Sequence, residues 1–147
     1  MPVFNKRSKK NLSSCHEDIE LICEYSIHDT DFSVLWGHRS KKIQFELFKQ
    51  GRKLVNGIWI IEDKKKIITN KDGKEKLSTH NFYPSKAFDL APYPIDWKNI
   101  PRFFYLANVV KATASFLLNT GKISHRIVWG GDWKMKDYPH FELRSVK

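Results

Sequence analysis

The chain has 147 residues, of which 41% are hydrophobic and 14% aromatic, and this size and composition fit one domain with an apolar core. Lys and Arg number 26 against 16 Asp and Glu, so the formal charge is +10. A basic surface favours a polyanionic partner, and the charge alone does not choose among nucleic acid, anionic lipid and an acidic cell wall. The two cysteines are too few for a disulfide-rich scaffold, and no apolar run is long enough to span a bilayer.

The N-terminal part of the chain is predicted to hold one helix behind a loose basic segment. Residues 1–11 lack the apolar run of a signal peptide, so we interpret them as a lead-in to the domain. A helix is predicted over 13–28, with acidic residues in its first turn, where the helix dipole favours them. Cys15 and Cys23 fall in this stretch, too far apart along one helix for a disulfide, and are interpreted as core thiols in a reducing compartment.

The middle of the chain alternates short elements with charged loops. An apolar run at 32–36 is typical of a strand, and a helix is predicted over 41–49, ending before a glycine. Two β-prone runs, 57–61 and 66–69, are separated by charged residues and predict a surface hairpin.

The C-terminal part contains the longest predicted helix, over 101–119. Five apolar residues recur at steps of three and four along it, which predicts one buried face: Phe103, Ala107, Val110, Ala114 and Leu117. Arg126 to Trp129 is a strand candidate that two glycines end.

Two short segments combine strand periodicity with polar residues. In AFDLA, Asp89 lies on the face opposite Phe88 and Leu90, and in HFEL, His140 lies on the face opposite its apolar neighbours. With His80 and Asp137 the chain offers two histidines and two carboxylates that can converge on one metal ion. Imidazole and carboxylate both suit zinc, and a catalytic zinc site has three protein ligands and an open fourth position.

Four blocks of sequence resemble a known family. GHRS with the following Gln44, then a serine two residues before His80, then AFDLAPY, then WGGDWKMKDYPHFEL resemble the zinc D,L- and D,D-peptidases of the VanY/VanX type, and among them the L-alanyl-D-glutamate endopeptidases of phage endolysins. The similarity runs from about residue 13 to residue 143. It implies an α+β fold, in which helices pack on a small central antiparallel sheet, as in the Hedgehog/D-Ala-D-Ala peptidase-like zinc peptidases. It also implies a single peptidase domain over 1–147 with no separate wall-binding domain.

The resemblance assigns roles to the polar residues by matching position. His80, Asp89 and His140 correspond to the three ligands of a Zn²⁺ ion. Asp137 corresponds to the catalytic acid and base. The step from His80 to Asp89 is nine residues, longer than the family's usual step, so we expect the added residues to bulge outward.

Three further residues are predicted to bind substrate. Arg39 in GHRS matches the arginine that holds a substrate carboxylate or a polarised carbonyl, and we therefore count it as both catalytic and substrate-binding. Gln44 lies beside it in sequence, and Ser78 is retained two residues before the first ligand. We expect both to contribute to substrate binding.

The function that the resemblance implies is zinc-dependent cleavage of the peptidoglycan stem peptide between L-Ala and D-Glu. A phage endolysin with that activity is expected to be a monomer made in the cytoplasm of the bacterial host without a signal peptide. It would act on the wall after release through the membrane, with no stable membrane association and no nucleic-acid partner. Two alternatives stay open: a D-Ala-D-Ala carboxypeptidase or dipeptidase on the same scaffold, and a catalytically silent wall-binding module.

Overall fold

The computed structural model describes residues 2–147 and combines a four-stranded antiparallel sheet with four helices and a separate two-stranded hairpin. The helices are α1 (Lys6–Ser13), α2 (Glu17–Ser26), α3 (Lys41–Lys49) and α4 (Ile100–Asn119). The strands are β1 (Phe32–Trp36), β2 (Arg52–Val55), β3 (Ile58–Ile61), β4 (Ala87–Pro92), β5 (Arg126–Trp129) and β6 (His140–Arg144). The predicted α+β class with a central antiparallel sheet is confirmed. Among the described helices, none is long and apolar enough to cross a bilayer.

The order of strands in the main sheet, β1-β4-β6-β5, places the two polar-bearing segments side by side. Strands β4 and β6 pair antiparallel, with Asp89 opposite His140 and Phe88 opposite Phe141. Phe88 and Phe141 lie in the hydrophobic core at 0% and 1% exposure. Because side chains alternate between the faces of a strand, Asp89 and His140 must share the other face. The predicted alternation is confirmed in both strands.

Helix α4 covers the apolar face of the sheet. The five residues of its predicted stripe are all buried, and α4 packs against α2, β4 and β5. Cys15 and Cys23 are buried free thiols, as predicted. The core therefore lies between the sheet and the helices α2 and α4, and leaves the opposite face of β4 and β6 for polar side chains.

The N-terminal segment is not a loose lead-in. Asn5 caps α1 by accepting a hydrogen bond from the backbone N–H of Ser8, and Leu12 at the other end is buried. The Asn11 amide donates to the carbonyls of Val34 and Leu35 at 2.8 and 3.0 Å, so α1 is tied to β1. For residues 6–11 the prediction of a loose segment is wrong, because these long-range hydrogen bonds and the burial of Leu12 stabilise a short helix, while residue 1 lies outside the described residues.

The hairpin forms with a different partner strand from the one predicted. Strand β3 pairs with β2, whereas 66–69 forms no strand. The two-residue connection is Asn56-Gly57, and both residues have positive φ, 49° and 78°. Asn-Gly is the sequence that such tight hairpin turns favour, because their twist matches that of the strands. The Asn56-Gly57 turn therefore determines that β3 pairs with β2.

Asp18 joins the start of α2 to the segment before β5. Its Oδ2 accepts hydrogen bonds from the backbone N–H groups of Ser124 and His125 at 3.0 and 3.2 Å, and lies 2.8 Å from His125 Nδ1. His16 Nδ1 accepts from the Asp18 N–H and so caps α2. The three side chains have the chemistry of metal ligands, but these hydrogen bonds satisfy them without an ion. We therefore interpret His16, Asp18 and His125 as a structural cluster that joins α2 to the segment before β5, and we refer to it as the clasp.

Asp18→Asn is expected to lower the free energy of unfolding by about 1–3 kcal/mol, because a buried acceptor of several hydrogen bonds loses its charge. Burial alone raises the pKa of Asp18, but hydrogen bonds from His125 and Ser124 outweigh it and hold the pKa below its usual value. The clasp therefore stabilises the fold above the unfolded-state pKa of about 3.9, and this contribution is lost as pH falls through the lower folded-state pKa. Urea melts of both proteins should differ most near neutral pH and converge in acid. A gap that stays constant down to about pH 2 contradicts the role of the carboxylate charge.

Candidate metal centre

Three side chains meet on the polar face of the main sheet. His80 comes from a short 3₁₀ turn, Thr79–Asn81, and Asp89 and His140 come from β4 and β6. One ligand atom from each lies within 4.8 Å of the other two. Asp89 Oδ1 is 3.3 Å from His80 Nε2 and 3.2 Å from His140 Nδ1. The structure thus brings together the three residues that the sequence predicts as ligands.

His80 presents a buried nitrogen that lacks a hydrogen-bond partner among the described residues. Its other nitrogen, Nδ1, lies 2.7 Å from the Gly37 carbonyl, which can only accept, so neutral His80 carries its proton on Nδ1. In that neutral form the lone pair of Nε2 faces the Asp89 carboxylate at 3.3 Å, so two acceptors face each other. A cation between them satisfies both, so these residues fit a metal ion.

Local structure holds the His80 turn against the segment after β1. The Arg39 N–H donates to the His80 carbonyl at 2.8 Å, and the Asn81 amide donates to the Arg39 carbonyl at 3.0 Å. Gly37, whose carbonyl contacts His80 Nδ1, also packs closely on the end of α1, because a Cβ there would collide with the Asn11 carbonyl and the Cys15 sulfur. The glycine in GHRS thus belongs to the architecture of the site.

His140 is held by a carboxylate on each side. Its Nδ1 faces Asp89 and its Nε2 lies 2.8 Å from Glu142 Oε1. Burial disfavours the imidazolium, but the hydrogen bonds to Asp89 and Glu142 outweigh burial and raise the pKa of His140 to about 9. Burial likewise opposes ionisation of Asp89, yet His80 and His140 hold its pKa well below the usual range. Glu142 was not among the predicted site residues, although it shares a strand face with His140.

Asp137 lies beside the three candidate ligands but is not one of the cluster. Its backbone N–H donates to the Gly130 carbonyl at 3.0 Å, and a Cβ on Gly130 would collide with the Asp137 backbone. Burial and repulsion from the Asp89 carboxylate raise the pKa of Asp137, while His140, His80 and Arg39 oppose that shift. A carboxylate with a raised pKa is suited to exchange protons.

Arg39 is buried within the site. Its guanidinium donates to Asp89 Oδ2 at 3.1 Å and lies 4.6 Å from the centre of the Trp36 ring. The structure therefore shows Arg39 in contact with Asp89, a candidate metal ligand. The Nε–H of Arg39 lacks a hydrogen-bond acceptor among residues 2–147. The substrate-binding role of Arg39 stays a prediction.

Gln44 does not lie in the site, and this part of the prediction is wrong. Its side chain is fully buried, and its amide donates to Thr69 Oγ1 and the Lys71 carbonyl at 3.2 and 3.0 Å. These contacts tie α3 to the loop after the hairpin. A side chain with no accessible surface cannot contact a substrate. The prediction relied on the closeness of Gln44 to Arg39 in sequence, which does not place the two side chains in one site.

Ser78 supports the site without facing substrate. It is buried, and its hydroxyl accepts a hydrogen bond from the His80 N–H at 3.2 Å, while Asn81 Oδ1 accepts from the Ser78 N–H at 2.9 Å. This is a capping box at the start of the 3₁₀ turn. The structure therefore corrects the predicted substrate contact of Ser78 to a role in positioning His80.

Comparisons with known proteins agree with this fold and site. The sequence profile of a family described as D-alanyl-D-alanine carboxypeptidase matches residues 71–143, which include His80, Asp89, Asp137 and His140. The peptidoglycan L-alanyl-D-glutamate endopeptidase CwlK of Bacillus subtilis is 36% identical over 116 residues, which are 77% of this chain and 60% of that protein. The chain thus spans about three fifths of the length of this relative.

A solved structure resembles the whole chain. The crystal structure of the Serratia marcescens L-Ala D-Glu endopeptidase ChiX superposes with a TM-score of 0.67 and 25% sequence identity, covering 97% of this chain and 90% of that one. Sequence, fold and the arrangement of polar residues thus agree: the chain is similar over residues 71–143 to a family described as D-alanyl-D-alanine carboxypeptidase, and more widely to two L-Ala–D-Glu endopeptidases.

Proposed function

We propose that this protein is a zinc-dependent peptidoglycan endopeptidase that cleaves the L-Ala–D-Glu bond of the stem peptide. The observation that carries the proposal is the cluster of two buried histidines, His80 and His140, with the partly buried Asp89 between them and the Asp137 carboxylate beside it. The choice of bond is supported by the two relatives, whose names state that activity.

Zinc is proposed from the chemistry of the donors. Two imidazole nitrogens and one carboxylate oxygen form a set that leaves a fourth position open, as catalytic zinc sites do. When bound, zinc supplies Lewis acidity and lowers the pKa of water at that position toward neutrality. Metal analysis of protein purified without chelator is expected to find about one zinc ion per chain.

Asp137 and Arg39 supply the proton transfer and the positive charge that the proposed reaction also needs. The Asp137 carboxylate accepts a proton from the attacking water and returns it to the amine of the leaving D-Glu, so one residue serves as base and then as acid. Arg39 holds Asp89 in place through its guanidinium, which donates to Asp89 Oδ2 at 3.1 Å, and so places a positive charge beside the candidate ligands. Positive charge at that point stabilises the oxyanion of the tetrahedral intermediate.

Mass spectrometry of defined muropeptides tests the choice of bond. We expect digestion to produce new C-terminal L-Ala and new N-terminal D-Glu, and chelation followed by zinc addition to stop and restore the reaction. Loss of terminal D-Ala alone would instead assign the second candidate, a D-Ala-D-Ala carboxypeptidase, which the description of the matching family favours. Muropeptides that stay intact under all conditions would leave only a wall-binding role.

We also propose that the protein acts as a phage endolysin, on the basis of the motif blocks that resemble that branch. In this proposal it is a monomer made in the host cytoplasm that reaches the wall after release through the membrane. The formal charge of +10 supports attraction to an anionic wall. Added protein is expected to lyse cells whose outer barrier has been permeabilised and to spare intact cells. Sedimentation analysis should find one chain per particle.

A further inference from the structure

Glu142 is a buried carboxylate that no step of the proposed reaction uses. It lies on β6 two residues after His140, on the same strand face, and is 6% exposed. Its Oε1 is 2.8 Å from His140 Nε2, and its Oε2 accepts from Arg144 Nε at 2.8 Å. Both oxygens are thus engaged, and the carboxylate has a defined orientation. A buried charge is costly unless it is paired in this way.

The contact with Glu142 bears on which nitrogen of His140 can bind a metal. An ionised carboxylate only accepts hydrogen bonds, so a neutral His140 that keeps its shorter contact, the one with Glu142, carries its proton on Nε2 and its lone pair on Nδ1. Nδ1 is the nitrogen that faces Asp89 Oδ1 at 3.2 Å. His80 has the opposite arrangement, because the Gly37 carbonyl holds its Nδ1 and leaves Nε2. The two histidines therefore need different partners to aim their lone pairs at one point.

We propose that Glu142 is a positioning residue for the metal centre: it holds His140 with Nδ1 directed at the metal and, as a carboxylate partner, makes that nitrogen a stronger donor. This inference rests on the proposed metal site and goes beyond it, because it assigns metal affinity to a residue that contacts neither metal nor substrate. Carboxylate partners of ligating histidines in general fix the ring orientation and raise its basicity.

Zinc affinity measured by competition with a chromogenic chelator tests the role of Glu142. Glu142→Ala is expected to weaken zinc binding about 10- to 100-fold, as loss of such partners typically does. Glu142→Gln keeps the volume and one acceptor oxygen but not the charge, so a smaller loss is expected. Glu24→Gln is the matched control: it removes a carboxylate from an exposed position on α2 and should leave the affinity unchanged. The visible spectrum of the Co²⁺-substituted forms reports the ligand geometry independently of turnover.

The possible outcomes separate this inference from the proposed function. Equal zinc affinity and equal Co²⁺ spectra in the wild type and Glu142→Gln overturn the role of Glu142, even if the variant is less stable. A wild-type protein that binds no zinc overturns the metal centre itself, and the inference falls with it. Thermal melts of the metal-free forms identify any folding defect, and if Glu142→Ala does not fold, the isosteric Glu142→Gln decides.

Discussion

Asp137→Asn is expected to lower kcat by about 10²- to 10⁴-fold, the contribution typical of a general acid and base. The amide has nearly the size of the carboxylate but cannot accept the proton of the attacking water. The backbone hydrogen bond between Asp137 and Gly130 does not involve the side chain, so the loop should keep its conformation. Since Asp137 is outside the three-residue cluster, zinc content should remain that of the wild type.

Asp132→Asn is the matched control for this variant. Asp132 lies five residues earlier on the same segment, but its exposed carboxylate pairs with Lys111 Nζ on the surface at 2.6 Å. Its loss should change kcat little, since exposed ion pairs contribute at most about 1 kcal/mol to stability. Steady-state kinetics on a defined muropeptide, with metal content measured on the same samples, compares the two variants. Unchanged turnover in Asp137→Asn would remove this residue from the mechanism.

His80→Ala is expected to abolish zinc binding and, with it, the activity. The substitution removes one of the three proposed ligands and leaves the other two, Asp89 and His140, partnered with Arg39 and Glu142. Metal content should fall from about one zinc ion per chain to near zero. The variant also removes a buried nitrogen that has no hydrogen-bond partner in the described part of the chain, so the metal-free protein should lose less stability than burial of His80 alone implies.

His28→Ala serves as the control for loss of a histidine. His28 is exposed just beyond α2, where it is outside both clusters of potential ligands. Its removal should leave zinc content and turnover unchanged. Mass spectrometry under native conditions counts the bound ions directly in each variant. If His80→Ala retains one tightly bound zinc, the ligand set proposed for this chain is incorrect.

Strand periodicity allowed much of the site to be predicted. Asp89 and His140 each sit between large apolar residues, and the period of two forces them onto the face away from the core. The same reasoning places Glu142 beside His140, since they are two residues apart on β6. The motif resemblance then singled out Asp137, which no periodicity distinguishes. These are local patterns, and a local pattern is sufficient to determine the face on which a side chain lies.

Residues close in sequence to the motifs were predicted less well. Gln44 is one turn into α3, and that turn directs its amide into the loop that contains Thr69 and Lys71. Ser78 caps the His80 turn instead of opening toward substrate. Both outcomes depend on which segment packs over the residue. The distance between two residues along the chain does not tell which segment will pack over either of them.

The sequence by itself determined the strand at 32–36, the helices α3 and α4 with the buried stripe of α4, and the polar faces of β4 and β6 with their histidine and carboxylate side chains. Only the tertiary structure decided the polar partners of the two histidines, because the Gly37 carbonyl and the Glu142 carboxylate come to them through folding and strand geometry. It also decided that residues 6–13 form a helix and that Asp18 fastens α2 to the segment before β5. Periodicity is a property of neighbouring residues, whereas the partner of a buried polar atom is chosen by contacts between segments far apart in the chain.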